Sequence, residues 1–528
     1  MSFSLRGARN PCGAARYTRY VDPPPGKAEM LDQFDPRIDP EFTPQPPEVL
    51  RARLAPLLSP GGFLTSLEAM RPYESDGLPA YRSLPAAVVL PETVEEVAAV
   101  LRACSELGVP VVARGAGTGL SGGALPFPGG VLLVMSKFSR ILEIDPVAMT
   151  ARVQPGVRNL AVSEAAAPHG LFYAPDPSSQ LACSIGGNVA ENAGGVHCLK
   201  YGLTVHNILS VQIVTLEGEI LTLGGPAIDS AGYDLMALFT GSEGLLGVVT
   251  EVLLRLQPLP ETTRLILAAF DDVGQAAGAV AAIMAAGVVP AGLEMMDGPA
   301  LRAAEDFARA GYPRDAAAIL LCEIDGQAED VREEIDRVSG LLRDAGATEV
   351  RVARDEDERR RFWAGRKGAF PAMGRLAPDY YCIDGTIPRK ALPFVLAEMG
   401  RLAEAHGLGV ANVFHAGDGN LHPLILYDAN LDGDLEKAES LGGAILELCV
   451  SVGGSITGEH GVGREKINQM CVQFTEAEVG AFHALKAAFD PAGLLNPGKT
   501  IPTLARCAEY GGMHVHKGAL PFAHLERF

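Results

Sequence analysis

Seven glycines fall between positions 115 and 130, immediately after an apolar, strand-like run at 109–113. The stretch Arg114-Gly115-Ala116-Gly117-Thr118-Gly119-Leu120-Ser121-Gly122-Gly123 contains a literal GxGxxG at Gly117, Gly119 and Gly122. In a dinucleotide-binding βαβ unit such glycines open a helix whose N-terminus carries the pyrophosphate. Here Ala124-Leu125-Pro126-Phe127-Pro128-Gly129-Gly130 follows instead, and its prolines and glycines leave no room for a helix before the next apolar run at 131–135. The stretch therefore reads as a helix-free cradle, in which glycines permit positive backbone angles and bring successive N–H groups close to an anion. Thr118 and Ser121 are interleaved with them.

Two further small-residue segments have the same character. One runs from Ala174-Pro175-Asp176-Pro177-Ser178-Ser179 through Cys183-Ser184-Ile185-Gly186-Gly187-Asn188 to Asn192-Ala193-Gly194-Gly195; the other is Thr240-Gly241-Ser242-Glu243-Gly244-Leu245-Leu246-Gly247-Val248-Val249. Three such loops suit an elongated ligand lying along exposed backbone, and FAD is long enough to need them. Around the first loop the pattern is strand, helix, strand at 86–90, 92–107 and 109–113. Strand-like runs follow at 131–135, 141–144, 151–154, 208–216 and 248–256, so an α+β nucleotide-binding domain is expected to close near Pro260. Beyond it, runs at 265–270, 319–324 and 349–352 alternate with helical stretches at 273–286 and 329–345, which predicts an α/β lid.

The chain has 528 residues and a net charge of -20, which argues against binding to a phosphate backbone. Its nine cysteines show no spacing for zinc or an iron-sulfur cluster. The first thirty residues lack the apolar core of a signal peptide, so a cytoplasmic protein is expected. The proline-rich residues 1 to about 60 predict an extended arm leading into a short helix. The uncharged 18-residue stretch 276–293 is mostly Ala and Gly and contains a helix stop and turn at Gly287 and Pro290, so it predicts a buried helix rather than a membrane span.

His415-Ala416-Gly417-Asp418-Gly419-Asn420-Leu421-His422 lies between strand-like runs at 410–414 and 423–427, with turn chemistry between them. A hairpin would bring the two histidines together. Downstream, Gly458-Glu459-His460-Gly461-Val462-Gly463-Arg464 sets a carboxylate beside a third histidine. Two imidazoles and a carboxylate suit a divalent ion with open positions, whereas lone loop histidines more commonly cap turns. Arg366, in Phe362-Trp363-Ala364-Gly365-Arg366-Lys367, offers a planar two-point grip for a carboxylate, or a salt bridge with the charged run 354–361.

In this order, these segments resemble the FAD-linked 2-hydroxy-acid dehydrogenase branch of the vanillyl-alcohol oxidase and p-cresol methylhydroxylase superfamily. Within that branch, residues 72–528 are similar to the group of bacterial glycolate oxidase catalytic subunits. The resemblance implies an arm (1–82), a PCMH-type FAD-binding domain of two α+β subdomains (83–262), an α/β cap (263–390) and a largely helical C-terminal segment (391–528). It also implies FAD contacts from Arg114, Gly115, Ala116, Gly117, Thr118, Gly119, Ser121, Gly122, Pro175, Asp176, Ser179, Cys183, Ser184, Gly186, Gly187, Asn188, Gly194, Glu243, Gly247, Val249 and Asn496. The flavin would be non-covalent, since covalent members carry His where this chain has Thr118. His415, His422 and Glu459 would hold zinc, manganese or iron(II), with His460 the base and Arg366 the carboxylate ligand. Dicarboxylate-handling relatives carry Lys at the position of Cys382 and Asn at that of Leu424, so these departures favour a small monocarboxylate. The implied reaction passes hydride from C2 of a 2-hydroxy acid to flavin N5, with glycolate first and D-lactate or D-2-hydroxyglutarate as alternatives. Electrons would pass to a quinone or to partners, namely a second FAD-binding subunit and an iron-sulfur subunit at the inner membrane. A non-catalytic relay subunit is the rival of another class, and it would not need the histidine motifs.

Overall fold

Residues 42–227, 232–503 and 507 are described by the computed structural model. The prolines at 23–25, and with them most of the expected arm, lie outside the described residues. The described part of the arm leads into the helix Pro47–Leu54, which has a proline at its first position, where no intrahelical N–H is needed.

A four-stranded sheet orders Phe63–Leu64, Ala87–Val89, Val131–Val134 and Val111–Arg114, the last three parallel. The helix Val94–Leu107 provides the crossover. Thr93 accepts the Glu96 amide at its start, and Gly108 ends it at φ 64°. Val97, Val100, Leu101 and Cys104 recur at helical spacing and are fully buried with the sheet residues Val89, Val111 and Leu133. Each such aliphatic side chain contributes about 1.5–3 kcal/mol. Strand Val111–Arg114 thus delivers the first glycine loop from a rigid base.

The second sheet is antiparallel, in the order Ile141–Asp145, Thr150–Val153, Val248–Arg255, Ile208–Val214, Ile220–Gly224. Both sheets precede residue 256, and together they are the α+β architecture expected of an FAD-binding fold. The small-residue segment at 183–195 departs from expectation, because it contains a helix, Ile185–Glu191, closed by Asn192 at φ 52°. Gly186 and Gly187 read as helix breakers, yet a side chain at Gly186 would place its Cβ 2.5 Å from Pro155 Cβ. Close packing outweighs weak helix propensity there.

A nine-stranded antiparallel sheet follows. Its longest pairing joins Thr262–Phe270 to Ala318–Gly326. Alternate residues of Thr262–Phe270 face opposite ways: Ile266, Ala268 and Phe270 pack with helices Val273–Ala285, Ala328–Asp344 and Leu392–His406, while Leu265, Leu267 and Ala269 pack with Gly298–Ala308 and Glu356–Lys367. Helices cover both faces, as an α/β layer requires. Val273–Ala285 is the buried helix expected at 276–293, and Gly287 turns after it at φ 79°. No helix among the described residues is long and apolar enough to cross a membrane. Cys471 and Cys507 form a disulfide that their spacing did not suggest.

Candidate active site

A cavity of about 380 Å³ is walled by all three small-residue segments and, on its far side, by Lys367, Phe370, Pro371, His422, Glu459 and His460. The first loop leaves strand Val111–Arg114 with no helix after it. The amides of Ala116, Gly117, Thr118 and Gly119 donate to no acceptor among the described residues. Ser184 Oγ is buried without a partner. A side chain at Gly115 would place its Cβ 2.3 Å from that oxygen, and one at Gly117 would collide with the Arg114 guanidinium. Free donors on a backbone that excludes Cβ atoms fit the phosphates of a dinucleotide such as FAD. Gly115→Val should therefore yield protein with little bound flavin, read as the ratio of absorbance at 450 and 280 nm; normal flavin content would remove the loop from the binding site.

The hairpin forms as the sequence predicts. Strand Gly409–His415 pairs with Pro423–Tyr427, and the His415 and His422 rings meet edge-on at 5.1 Å between centroids. Glu459 Oε1 lies 3.2 Å from His415 Nε2 and 3.3 Å from His422 Nε2. One donor atom from each of the three residues lies within 4.8 Å of the others. No hydrogen bond closes on the buried His422 Nε2, which fits a metal-ligating nitrogen. His460 stacks on His422 at 4.8 Å and 6°, and its buried Nδ1 also lacks a partner. Burial, reinforced by His422 and Lys466, lowers the His460 pKa to about 4, so its imidazole is neutral at neutral pH and can accept a proton.

Buried charges hold this cluster in place. Glu294 Oε1 accepts a hydrogen bond from His415 Nδ1 at 2.7 Å, which turns Nε2 toward Glu459 as the nitrogen that would face a metal. Burial acts to lower the His415 pKa, but with no ion between them Glu294 and Glu459 raise it, so a bound cation would take the place of the Nε2 proton. Asp384 is fully buried. Its carboxylate accepts from Thr457 Oγ1 at 2.7 Å, from the amides of Gly458 and His460 at 2.9 Å, and from Lys466 Nζ at 3.2 Å. Burial would raise the Asp384 pKa, yet Lys466, His460 and His422 hold it well below the carboxylate range. Asp384→Ala would strand the Lys466 ammonium in the interior, at a cost of about 3–5 kcal/mol. Denaturant titration checks this, and a variant within about 1 kcal/mol of the parent would contradict it.

Of the cofactor contacts that the resemblance implies, Arg114, Gly115, Ala116, Gly117, Thr118, Gly119, Ser179, Cys183, Ser184, Gly186, Gly187, Asn188, Glu243, Gly247 and Val249 line the cavity. Six others do not. Ser121 Oγ donates to the carbonyls of His460 and Gly461. Gly122 turns the chain at φ 73° beside Arg464. The Pro175 carbonyl accepts from Asn159. Asp176 turns to a second cavity, where it accepts from both the amide and Nδ1 of His197. Gly194 leaves room for Glu459, whose Oε2 would lie 2.7 Å from an added Cβ. Asn496 ties the carbonyls of Gly123 and Glu243 together.

Arg366 departs most from expectation. It is 1% exposed, and its Nε and Nη2 lie 2.9 and 2.6 Å from Glu294 Oε2. It does not line the cavity, because its charge is needed to balance a buried carboxylate. Cys382 and Leu424 are cross-strand partners, both buried in an apolar cluster. Sequence reasoning missed Asp384, Glu294 and Lys466. The available signal was a lone acid inside an apolar strand pattern, as in Met295's neighbour Glu294 and in Cys382-Ile383-Asp384.

Residues 85–224 match the family described as FAD binding domain, and residues 259–500 match FAD linked oxidases, C-terminal domain. The glycolate oxidase subunit GlcD of Escherichia coli K12 is 67% identical over 461 residues, covering 87% of this chain and 92% of that protein. A D-lactate dehydrogenase of Anaerostipes hadrus is 31% identical over 452 residues, covering 84% and 95%. The structure of p-cresol methylhydroxylase with substrate bound aligns at a TM-score of 0.74 and 18% identity over 87% of this chain and 97% of that one, which shows a common fold. Matched through both its cofactor half and its C-terminal half, the chain belongs to the FAD-linked oxidase family.

Proposed function

We propose that the chain oxidises glycolate to glyoxylate. The observation that carries the reading is that His422, Glu459 and His460 wall the same cavity as the glycine cradle. This shared wall supports a proton acceptor and a cation site beside the flavin. The identity to a glycolate oxidase subunit, more than twice that to the D-lactate dehydrogenase, supports glycolate over the larger acid.

Bound FAD would supply the hydride acceptor, and a divalent ion held by His415, His422 and Glu459 would supply Lewis acidity. The chain's own residues do the rest. Neutral His460 takes the hydroxyl proton as the hydride leaves C2. Glu294 fixes the His415 tautomer, and Asp384 holds the 457–460 loop so that Glu459 and His460 keep their places.

The relative's description as a subunit supports assembly into a larger complex; in it, electrons would pass to a second FAD-binding subunit and an iron-sulfur subunit at the inner membrane. Turnover of glycolate, D-lactate and D-2-hydroxyglutarate by the purified chain with an artificial dye acceptor tests the substrate. Glycolate should show the highest kcat/KM. Fast D-lactate turnover with inert glycolate would replace the assignment.

A further inference from the structure

We infer that His197 is a positioning residue for the flavin: its ring clamps the 176–179 wall of the main cavity to the strand Ala318–Gly326, and the cofactor stays seated while that clamp holds. The loop at 176–180 is a partition. Pro177, Ser178 and Ser179 line the main cavity, whereas Asp176 and Gln180 line a second one of about 590 Å³, whose far walls include Thr263 and Glu323 of the nine-stranded sheet and Trp363 of the helix Glu356–Lys367. Gly195, at φ 146°, lets the following segment pass directly over the partition, since an added Cβ would lie 2.4 Å from the Asp176 carbonyl oxygen. Two residues on, His197 grips the Asp176 carboxylate twice, from its amide at 3.0 Å and from Nδ1 at 2.8 Å. Nε2 of the same ring reaches Glu323 Oε1 at 3.1 Å. Glu323 is fixed in turn by Arg359 Nη1 at 2.7 Å and Trp363 Nε1 at 2.6 Å, both on Oε2. Lys200 and Tyr201 repeat the attachment two residues along the strand, at Asp325.

A ring that meets a carboxylate at each nitrogen donates from both, so His197 works as an imidazolium. Burial acts to lower its pKa, but Asp176 and Glu323 raise it well above the ordinary value. The other titratable groups around it are Tyr173 ahead of the partition, Cys198, Lys200 and Tyr201 in the turn that follows it, Asp325 on the strand, and Arg359, Arg360 and Lys367 on the helix Glu356–Lys367. None of the cations among them takes its place. Lys200 is bound to Asp325 and Arg359 to Glu323, and among the described residues Asp176 has no ion-pair partner besides His197. Loss of the ring's charge would therefore leave the Asp176 carboxylate uncompensated. An imidazolium whose pKa is raised contributes fully below the ordinary value of about 6.5, and its contribution is lost as pH rises through the raised one. The hold on the flavin should accordingly weaken on the alkaline side.

The test follows escape of flavin from the holoprotein, read as the rise in flavin fluorescence after dilution. It needs no substrate, so it stands or falls apart from the glycolate assignment. His197→Gln should release flavin about 10- to 100-fold faster than wild type at neutral pH, the span of one charge-assisted hydrogen bond. Asp176→Asn should do the same, and because the two residues form one clamp, the double variant should be no worse than either alone. Wild type should release flavin faster as the pH is raised from about 7 to about 10, and His197→Gln should lose most of that dependence. A purely structural role would lower the Tm of the variants but leave the release rate and its pH slope as in wild type, which would overturn the inference. Losses that simply add in the double variant would overturn it as well, since Asp176 would then act on the flavin without His197. If His197→Gln is not recovered folded, Asp176→Asn, which keeps the ring's bond to Glu323, decides by the same release rate and pH slope.

Discussion

Replacing His460 with alanine is expected to slow reduction of the bound flavin by glycolate about 10²- to 10⁴-fold, the contribution typical of a positioned base. The argument rests on geometry. His460 lines the cavity, its Nδ1 has no protein partner, and its neutral ring stacks flat on a neighbour that reaches Glu459. Nothing in the glycine cradle depends on its imidazole, since Ser121 grips the His460 carbonyl and not the ring. Flavin content should therefore match wild type. Anaerobic stopped-flow at 450 nm separates the two effects, and an undiminished reduction rate would strip His460 of its role.

Stripping the protein with a chelator is expected to lower turnover at least about 100-fold, because Lewis-acid stabilisation is worth several kcal/mol. The flavin spectrum should persist, since the cradle and the histidine cluster use different residues. Glu459 stands between His415 and His422, so Glu459→Gln should abolish metal retention and mimic the chelator. Restoration by zinc, manganese or iron(II), followed by metal analysis, identifies the ion. A metal-free protein that turns over at the wild-type rate would end the metal assignment.

Strands and helices with clean periodicity were legible in the sequence, such as Val94–Leu107 between Thr93 and Gly108. So was the hairpin, because its turn chemistry is local. Helix Ile185–Glu191 was not, since its Gly186 follows the demand of Pro155, some thirty residues earlier. Arg366 illustrates a different limit. An arginine beside a charged run shows nothing in sequence of Glu294, 72 residues away, that claims it. Asp384 is similar, for its partners are backbone amides of residues 458–460. Partners of buried charges lie far along the chain and leave no periodic trace.

The 460–463 loop is held from the flavin side: Ser121 grips its carbonyls, and Glu243 takes the amides of Val462 and Gly463 at 2.7 Å. Leu495 adds a bridge beside Val111, and Asn496 donates its amide to the Val111 carbonyl. In order of synthesis, the glycine cradle emerges from the ribosome some 340 residues before the loop that braces it. A nascent chain can shape the cradle early, but the enclosure around the cofactor is sealed only when nearly the whole polypeptide has been made.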